Sequence, residues 1–186
     1  MSLDKLRKSL AASPIVKMGD YDYFVNPISD GVPSLDPSVL TEVIECMKEV
    51  GDFECDLIVA PESMGIPLAV PLSMDLGIPY SIIRKKSYGL PGEVQIDQVT
   101  GYSKSKMYIN GVCKGNKVTI VDSVVSSGGT LAAVVQGIRS IGAEIVDILV
   151  VIEKGGGRRR LENELGVRIK SLIKVEVTSK GVKIID

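Results

Sequence analysis

Histidine and tryptophan are both absent from the 186 residues of this chain. Without histidine the chain can form neither a Ser-His-Asp triad nor a Cys-His pair, and it lacks the commonest metal ligand. Catalysis would therefore have to rest on other groups. Chemistry that positions the reactants and stabilises developing charge suits this set of residues.

An excess of charge of either sign is also missing. The 22 Lys and Arg residues nearly balance 23 Asp and Glu residues, which gives a net charge of -1. No long-range field thus favours nucleic acid or a membrane surface as a partner. The polar amino terminus does not resemble a signal peptide, and no apolar run approaches the roughly 20 residues that span a bilayer.

Cysteine is scarce, and its spacing is uninformative for a metal site. Cys46, Cys55 and Cys113 are an odd number without metal-ligand spacing, and each is compatible with a place in the core. An odd count of this kind indicates reduced thiols. We therefore expect a cytoplasmic protein.

Alternating apolar runs and amphipathic segments predict the fold class. The length and the hydrophobic content of 45% predict a single domain over residues 1–186. Apolar runs dense in Ile and Val predict strands at Asp56–Ala60, Tyr80–Arg84, Lys117–Asp122, Ile145–Ile152 and Ile169–Val177. Amphipathic patterns and capping residues predict helices at Leu3–Ala12, Pro37–Val50, Pro67–Leu76, Thr130–Ile141 and Arg159–Leu165. This alternation predicts an α/β fold with a central, mostly parallel sheet flanked by helices, with ligands at the carboxyl ends of the strands.

The segment 118–130 contains the strongest functional pattern. An apolar strand is expected to end at Asp122, whose carboxylate can accept hydrogen bonds from ribose hydroxyls. The small residues that follow can direct backbone amides, hydroxyls and a helix amino terminus at one phosphate group: Ser126, Ser127, Gly128, Gly129 and Thr130. Glycine turns after an aspartate also occur for backbone reasons alone. The order of the residues nevertheless predicts a sugar-phosphate site.

This segment resembles the phosphoribosyl diphosphate (PRPP) signature of the type I phosphoribosyltransferases. That signature has two acids followed by a short apolar pair and Thr/Ser-Gly-Gly-Thr. In this chain Ser123 stands in place of the second acid. Asp122 is therefore the only carboxylate left to hold the ribose diol, and Ser123 lies next to it in the same binding segment. The resemblance implies that Asp122 is the catalytic residue, that residues 126–130 bind the 5′-phosphate, and that Mg²⁺ is carried by PRPP rather than bound directly by the protein.

Two further loops resemble the pyrophosphate-binding segments of the same family. The first follows a predicted strand and contains Glu62, Ser63, Met64 and Gly65, which are similar to the adenine-type first loop. The second contains Arg84, Lys85 and Lys86 and resembles the Arg-Lys-x-x-x-Leu-Pro pattern of purine members. The resemblance implies that both loops bind pyrophosphate. By themselves, the first could be an ordinary turn and the second a solvated run of charge.

Two segments resemble the parts of the family that cover the substrates. Residues 87–110 are similar to its mobile loop, with Tyr102 and Lys104 or Lys106 as closing contacts, although a surface hairpin would also fit. Residues 1–35 are similar to its base-covering hood. There Phe24 could stack on a purine or pack in the core, and Asn26 or the backbone near Val25 could bind the edge of the base.

A third base-binding segment follows the strand predicted at residues 145–152. Ile152 could pack against the base, and Glu153 or Lys154 could read it. The glycines at 155–157 could also merely join this strand to the next helix.

The combination Tyr-Phe-Val-Asn-Pro-Ile-Ser-Asp-Gly, Met-Gly-Ile-Pro, Leu-Pro-Gly-Glu and Thr-Gly-Tyr-Ser resembles the archaeal hypoxanthine/guanine branch of this family. The resemblance implies transfer of phosphoribose from PRPP to hypoxanthine or guanine by a homodimer or larger homo-oligomer. Gly101 stands where the adenine-type pattern has an acid. Two alternatives remain open: adenine or xanthine as the base, and a nucleotide-sensing regulator, which the replacement at Ser123 would suit.

Overall fold

The computed structural model describes residues 2–19, 21–99 and 104–185. The helices are α1 Asp4–Ala11, α2 Pro27–Asp30, α3 Pro37–Val50, α4 Ile66–Leu76, α5 Gly129–Ile141 and α6 Gly157–Leu165. The strands are β1 Ile15–Met18, β2 Tyr21–Phe24, β3 Leu57–Pro61, β4 Tyr80–Ile83, β5 Val94–Val99, β6 Lys104–Ile109, β7 Lys117–Val125, β8 Glu144–Lys154, β9 Lys170–Thr178 and β10 Gly181–Ile185. None of the helices in these ranges combines the length and apolar character needed to cross a bilayer.

Six strands form the central sheet, in the order β10-β9-β8-β7-β3-β4. Neighbouring strands from β9 to β4 are parallel, and only β10 is antiparallel to its neighbour. Two antiparallel hairpins, β1-β2 and β5-β6, lie outside this sheet. The predicted α/β architecture with a mostly parallel sheet is confirmed.

Side chains alternate between the two faces of the sheet and thereby divide the core in two. On β3, Ile58 and Ala60 join one buried cluster with residues of α1, α3 and α4. Val59, between them, joins the second cluster with residues of α5, α6 and the β5-β6 hairpin. Helices thus cover both faces, which explains why the central strands are almost continuously apolar.

The order in which successive strands are added to the sheet changes side between β3 and β7. From β3 the next strand, β4, lies on one side, whereas from β7 the chain continues to β8 and β9 on the other. At such a switch point the loops after the two adjacent strands diverge and leave a crevice for ligands. The loops after β3 and β7 are two of the three segments in which the sequence predicts anion-binding residues.

All five predicted strands and all five predicted helices are present: α3 has the predicted bounds, and each of the others is shifted at one end or both. Helix α3 begins as its sequence indicates, because the Asp36 carboxylate accepts a 2.7 Å hydrogen bond from the Ser38 amide and Pro37 occupies the first turn. Helix α6 begins at Gly157, two residues before its predicted start. The sequence analysis did not identify β1, β2, α2 and β10 as elements, since each is only four or five residues long.

Candidate active site

Strand β7 carries Asp122 within the sheet rather than at its end. The strand continues to Val125, three residues past the predicted end, and Asp122 is paired with Val150 of β8. The Ser123 amide donates a 2.7 Å hydrogen bond to Asp122 Oδ1, while the Ser123 side chain is buried. Burial raises the pKa of Asp122 to about 7, although these interactions with Ser123 oppose the shift. The carboxyl group is therefore poised to gain or lose a proton near neutral pH.

The turn after β7 leads directly into the amino terminus of α5. Gly128 adopts a left-handed conformation with φ of 81° and serves as the N-cap of α5, which begins at Gly129. A Cβ atom at Gly128 would lie 2.3 Å from Leu161 Cδ1, so the turn also packs tightly on α6. Amides at a helix amino terminus with no side-chain cap are well placed to bind an anion.

Helix α6 packs against the β7-α5 turn and holds it in place. The sequence pattern does not indicate this role of α6. The Arg160 guanidinium donates a 2.5 Å hydrogen bond to the Ser127 carbonyl. A Cβ atom at Gly157 would lie 1.7 Å from the Ser126 carbonyl oxygen, so only glycine fits there without a shift. The run of three glycines at 155–157 was the available signal, but it also fitted a simple connection between elements.

The two loops predicted to bind pyrophosphate contact each other although about twenty residues separate them. The Arg84 Nε atom lies 2.8 Å from Glu62 Oε2, and the Lys85 amide donates a 2.8 Å hydrogen bond to Glu62 Oε1. Gly65 approaches the Pro61 carbonyl so closely that a Cβ atom would lie 2.7 Å from it. Ser63, Lys85 and Lys86 are exposed, and Met64 is half-buried. The Glu62–Ser63 peptide bond is cis.

A cavity of about 140 Å³ lies between the β7-α5 turn and the β1-β2 hairpin. The turn lines it with Ser126, Ser127, Gly128, Gly129 and Thr130, and the hairpin with Tyr21, Tyr23 and Phe24. The hydroxyl oxygens of Tyr21 and Ser126 are 3.1 Å apart. The small residues after β7 and the aromatic residues of the amino-terminal segment thus meet at one site.

Among the described residues that line the same cavity, Lys154 at the end of β8 is a cation. Lys154 Nζ lies 3.8 Å from the centre of the Tyr21 ring and 5.6 Å from that of Phe24. It also donates a 2.8 Å hydrogen bond to the Asp22 carbonyl. A cation that faces two aromatic rings is stabilised there and remains available as a hydrogen-bond donor.

Comparison with known proteins decides the family. The sequence model of the phosphoribosyl transferase domain matches residues 39–183. The chain belongs to this family. The predicted resemblance to phosphoribosyltransferases is confirmed.

Individual relatives extend the similarity of this phosphoribosyltransferase to nearly the whole chain. It is 48% identical over 185 residues to the hypoxanthine/guanine phosphoribosyltransferase of Methanothermus fervidus, with 99% of this chain and 98% of that protein covered. It is 50% identical to the protein of the same name from Methanobacterium lacus, with 97% and 95% covered. The crystal structure of adenine phosphoribosyltransferase from Thermoanaerobacter pseudethanolicus superposes with a TM-score of 0.75 at 26% identity, covering 93% of this chain and 99% of that one.

The other residues predicted to bind the base occupy different surroundings in this phosphoribosyltransferase. Phe24 is 4% exposed and lines the cavity while it packs in the core, so both of its expected roles are compatible with its position. Asn26 is fully buried and caps α2, since its Oδ1 accepts hydrogen bonds from the Ile28 and Ser29 amides. The Val25 amide donates to the Pro14 carbonyl. Hydrogen bonds within the protein thus already engage the Asn26 side chain and the Val25 amide.

Strand β8 continues past its predicted end at Ile152, so Glu153 and Lys154 lie within the strand rather than after it. Ile152 is completely buried. Glu153 is 3% exposed, and its Oε2 lies 2.6 Å from Arg158 Nε and 3.2 Å from the Ser171 hydroxyl. Of the two residues expected to read a base, Lys154 lines the cavity and Glu153 joins β8 to α6 and β9. Glu153 as a base-binding residue stays a prediction.

The segment expected to be a mobile loop contains the β5-β6 hairpin. Lys106 is exposed and lies opposite Asp97. Tyr102 and the side chain of Lys104 lie outside the described residues. On the other face of this hairpin, the side-chain amide of Gln98 donates a 2.6 Å hydrogen bond from its Nε2 to the Thr130 hydroxyl. The hairpin is thus connected to the β7-α5 turn by a residue that the sequence analysis did not single out.

Proposed function

We propose that this chain is a purine-salvage enzyme that transfers the 5-phosphoribosyl group from PRPP to hypoxanthine or guanine. The products are the nucleoside monophosphate and pyrophosphate. The observation that carries the proposal is the identity of about half of all residues to two hypoxanthine/guanine phosphoribosyltransferases over nearly the whole chain. The cavity between the β7-α5 turn and the aromatic hairpin supports it.

The 5′-phosphate is assigned to residues 126–130. Backbone amides of the turn, the hydroxyls of Ser126 and Thr130, and the positive end of α5 converge there. A phosphate accepts hydrogen bonds only, so a site made of donors matches it. The ribose is assigned to Asp122, whose carboxylate would accept hydrogen bonds from the two ribose hydroxyls, with Ser123 supplying the amide that orients Asp122.

The leaving pyrophosphate is assigned to the loops after β3 and β4. Arg84, Lys85 and Lys86 supply positive charge, and the loop 62–65 supplies the backbone amides of Ser63 and Met64, since those of Glu62 and Gly65 donate to the Ile83 and Pro61 carbonyls. The ion pair of Glu62 with Arg84 supports this assignment because it keeps both loops together. Guanidinium and ammonium groups bind phosphate oxygens strongly in sites with little water.

The donor set near the ribose fits Mg²⁺ carried by the substrate. Mg²⁺ is usually held by one or two carboxylates together with substrate phosphates. Asp122 would hold the ribose of the metal-bearing substrate, and the phosphates of PRPP would hold the ion itself. When bound to PRPP, the ion would neutralise charge on the leaving pyrophosphate.

The proposed reaction depends on alignment rather than on a protein nucleophile. The bond between C1 and the pyrophosphate oxygen breaks and its electron pair leaves with pyrophosphate, while N9 of the base forms a bond to C1 through a transition state resembling an oxocarbenium ion. The imidazole-ring proton of the base is released to water or to the departing pyrophosphate. Asp122 holds the ribose, the turn holds the phosphate, and the cations stabilise the charge that collects on pyrophosphate. Positioning and charge stabilisation of this kind supply a large part of many enzymatic rate enhancements.

The choice of a 6-oxopurine is assigned to Lys154. An ammonium group donates hydrogen bonds and accepts none, so it favours the 6-oxo oxygen of hypoxanthine and guanine over the 6-amino group of adenine. The Tyr21 and Phe24 rings that border the cavity offer surfaces on which a flat base can stack.

Replacing Lys154 by methionine is therefore expected to lower kcat/KM for hypoxanthine and guanine about tenfold or more, since one charged hydrogen-bond donor is lost. The KM for PRPP should change little. The control is Lys117→Met, at the opposite end of β7, which should behave as the original enzyme. Equal kinetics of Lys154→Met and Lys117→Met would remove Lys154 from base recognition.

The test of the whole proposal is pyrophosphate release from PRPP and Mg²⁺ with hypoxanthine, guanine, adenine, xanthine, uracil or orotate offered singly. Release confined to hypoxanthine and guanine is expected. Release with adenine or xanthine instead would replace the assigned base. Binding of PRPP without release for any base would favour the nucleotide-sensing regulator, the second candidate that Ser123 motivates.

We also propose that the enzyme is a cytoplasmic homodimer or a larger homo-oligomer. All three cysteines are free thiols, which supports a reducing compartment. Met74 and Leu76, at the end of α4, and Tyr80, at the start of the edge strand β4, are exposed apolar or aromatic residues close together in the chain, and Met74 is 78% exposed. Exposed apolar side chains of this kind commonly mark an interface.

Met74→Glu is expected to shift the protein toward the monomer, because a charge would be buried in the proposed interface. Sedimentation velocity at several concentrations measures this shift. A change at the equally apolar but separate Val32, Val32→Glu, serves as the control. A monomer already present in the unaltered protein at micromolar concentration would contradict the dimer.

A further inference from the structure

The β5-β6 hairpin carries a polar pair at the end of an otherwise apolar face. Directly opposite residues on this face are Val94 and Ile109, then Ile96 and Met107, and then Gln98 and Ser105. Ile96 and Ile109 pack on Gly137 of α5, where a Cβ atom would lie 2.6 Å from each. Gln98 continues this face toward the start of α5 and is only 9% exposed. A buried amide among apolar neighbours is costly unless both of its ends are hydrogen-bonded.

Both ends of the Gln98 side-chain amide are hydrogen-bonded. The two hydrogen bonds point the same way, from Ser105 to Gln98 and from Gln98 to Thr130. The Ser105 hydroxyl donates a 2.6 Å hydrogen bond to Gln98 Oε1. The other end, Gln98 Nε2, donates a 2.6 Å hydrogen bond to the Thr130 hydroxyl oxygen. The Thr130 oxygen therefore accepts from Gln98, which leaves its own proton free for another acceptor.

We propose that Gln98 is a positioning residue that orients the Thr130 hydroxyl to donate its hydrogen bond to the 5′-phosphate of the substrate. The proposal rests on the proposed function, in which residues 126–130 bind that phosphate. Thr130 lines the cavity with the turn residues, and a phosphate needs donors on every side. A hydroxyl without a fixed partner rotates and can present its lone pairs instead of its proton.

The nearly isosteric change Gln98→Glu reverses this arrangement. A carboxylate at position 98 can only accept, so it would attract the Thr130 proton and turn the hydroxyl lone pairs toward the phosphate. Gln98→Met removes the polar end and retains a side chain of similar length. The two changes separate loss of the orienting bond from its reversal.

The experiment measures the dissociation constant of GMP by calorimetry, with Tm recorded for each protein. Gln98→Met and Thr130→Val are each expected to bind GMP about tenfold more weakly, as loss of one hydrogen bond to a charged group predicts. Gln98→Glu should bind more weakly than Gln98→Met. The double variant should match Thr130→Val alone, because Gln98 acts through Thr130. Gln95→Met, on the exposed face of the same strand, should bind as the original protein does.

The outcomes distinguish this proposal from the proposed function. Additive losses in the double variant, or unchanged GMP affinity in Gln98→Met beside a weakened Thr130→Val, overturn the role of Gln98 alone. A purely structural role would lower Tm and weaken the double variant beyond Thr130→Val, which also overturns it. Unchanged affinity in Thr130→Val would show that the phosphate assignment itself is wrong at this residue.

Discussion

Asp122→Asn is expected to lower kcat/KM for PRPP about 10²–10³-fold, the range found when one preorganised electrostatic group is removed. Asparagine keeps the size of the side chain and can still accept the 2.7 Å hydrogen bond from the Ser123 amide. The change removes the negative charge available to the ribose hydroxyls of PRPP. Steady-state kinetics with guanine as the second substrate measures the effect.

A matched control for this change is Asp52→Asn, which alters an aspartate in the exposed turn before β3. This variant should retain full activity. Similar activity of Asp122→Asn and Asp52→Asn would contradict the assignment of Asp122 as the catalytic residue.

The same substitution has an expected effect on stability that depends on pH. Burial raises the pKa of Asp122 from the ordinary value of 3.8 to about 7. Between these values the folded protein holds a proton that the unfolded chain has released, so the free energy of unfolding falls as pH rises through this window. Above pH 7 both states are ionised, and the loss is complete. Asp122→Asn removes this loss, which is on the order of a few kcal/mol at most.

Calorimetric Tm values at pH 5 and pH 8 test this expectation. The Tm advantage of Asp122→Asn should be larger at pH 8, where the original protein holds a charge at a half-buried position. Equal Tm differences at the two pH values would show that the Asp122 pKa is not raised. If the variant is more stable yet almost inactive, the charge of Asp122 lowers the stability of the protein and is needed for activity.

Gly157→Ala is expected to cause the second large loss, about 10²-fold in kcat/KM for PRPP, which is the scale of a 1 Å displacement of a positioned group. The added Cβ atom would lie 1.7 Å from the Ser126 carbonyl oxygen and 2.8 Å from the Ser126 carbonyl carbon. Both atoms belong to the backbone, so the clash can be relieved only if the β7-α5 turn or α6 moves. Crowding of this kind costs about 1–3 kcal/mol of stability.

The neighbouring residue supplies a control with the same chemistry. A Cβ atom at Gly156 would contact nothing within 4 Å, and φ there is -105°, which alanine adopts readily. Gly156→Ala should thus retain activity and Tm. If Gly157→Ala behaves in the same way, α6 does not hold the phosphate-binding turn in place.

The parts of the site that lie next to long strands and helices in the chain were predictable from the sequence. The strand-turn-helix pattern around Asp122 and Thr130 is continuous in the chain, so local periodicity and small residues were sufficient to indicate it. The sheet followed from runs of Ile and Val, because buried parallel strands require them. These features depend on neighbours in the sequence.

The parts that depend on distant contacts were not predictable. Glu153 and Lys154 are adjacent charged residues, and only the extension of β8 to Lys154 turns one toward Arg158 and the other toward Tyr21. Similarly, the need for glycine at position 157 follows only from its close approach to the Ser126 backbone, which is distant in the chain. The bond of Gln98 with Thr130 joins residues 32 positions apart, for which no local pattern exists.

The reversal of strand order between β3 and β7 has a consequence for the order of events after the reaction. The loops assigned to pyrophosphate belong to β3 and β4, whereas the turn assigned to the nucleotide belongs to β7. The two halves meet along the β3-β7 pair, with Leu57 opposite Val118 and Val59 opposite Ile120. The bond between C1 of the ribose and pyrophosphate, which breaks in the proposed reaction, therefore lies across the boundary between these two halves. In the proposed reaction each product would stay bound to its own half, so that pyrophosphate would be able to depart while the nucleotide is still held.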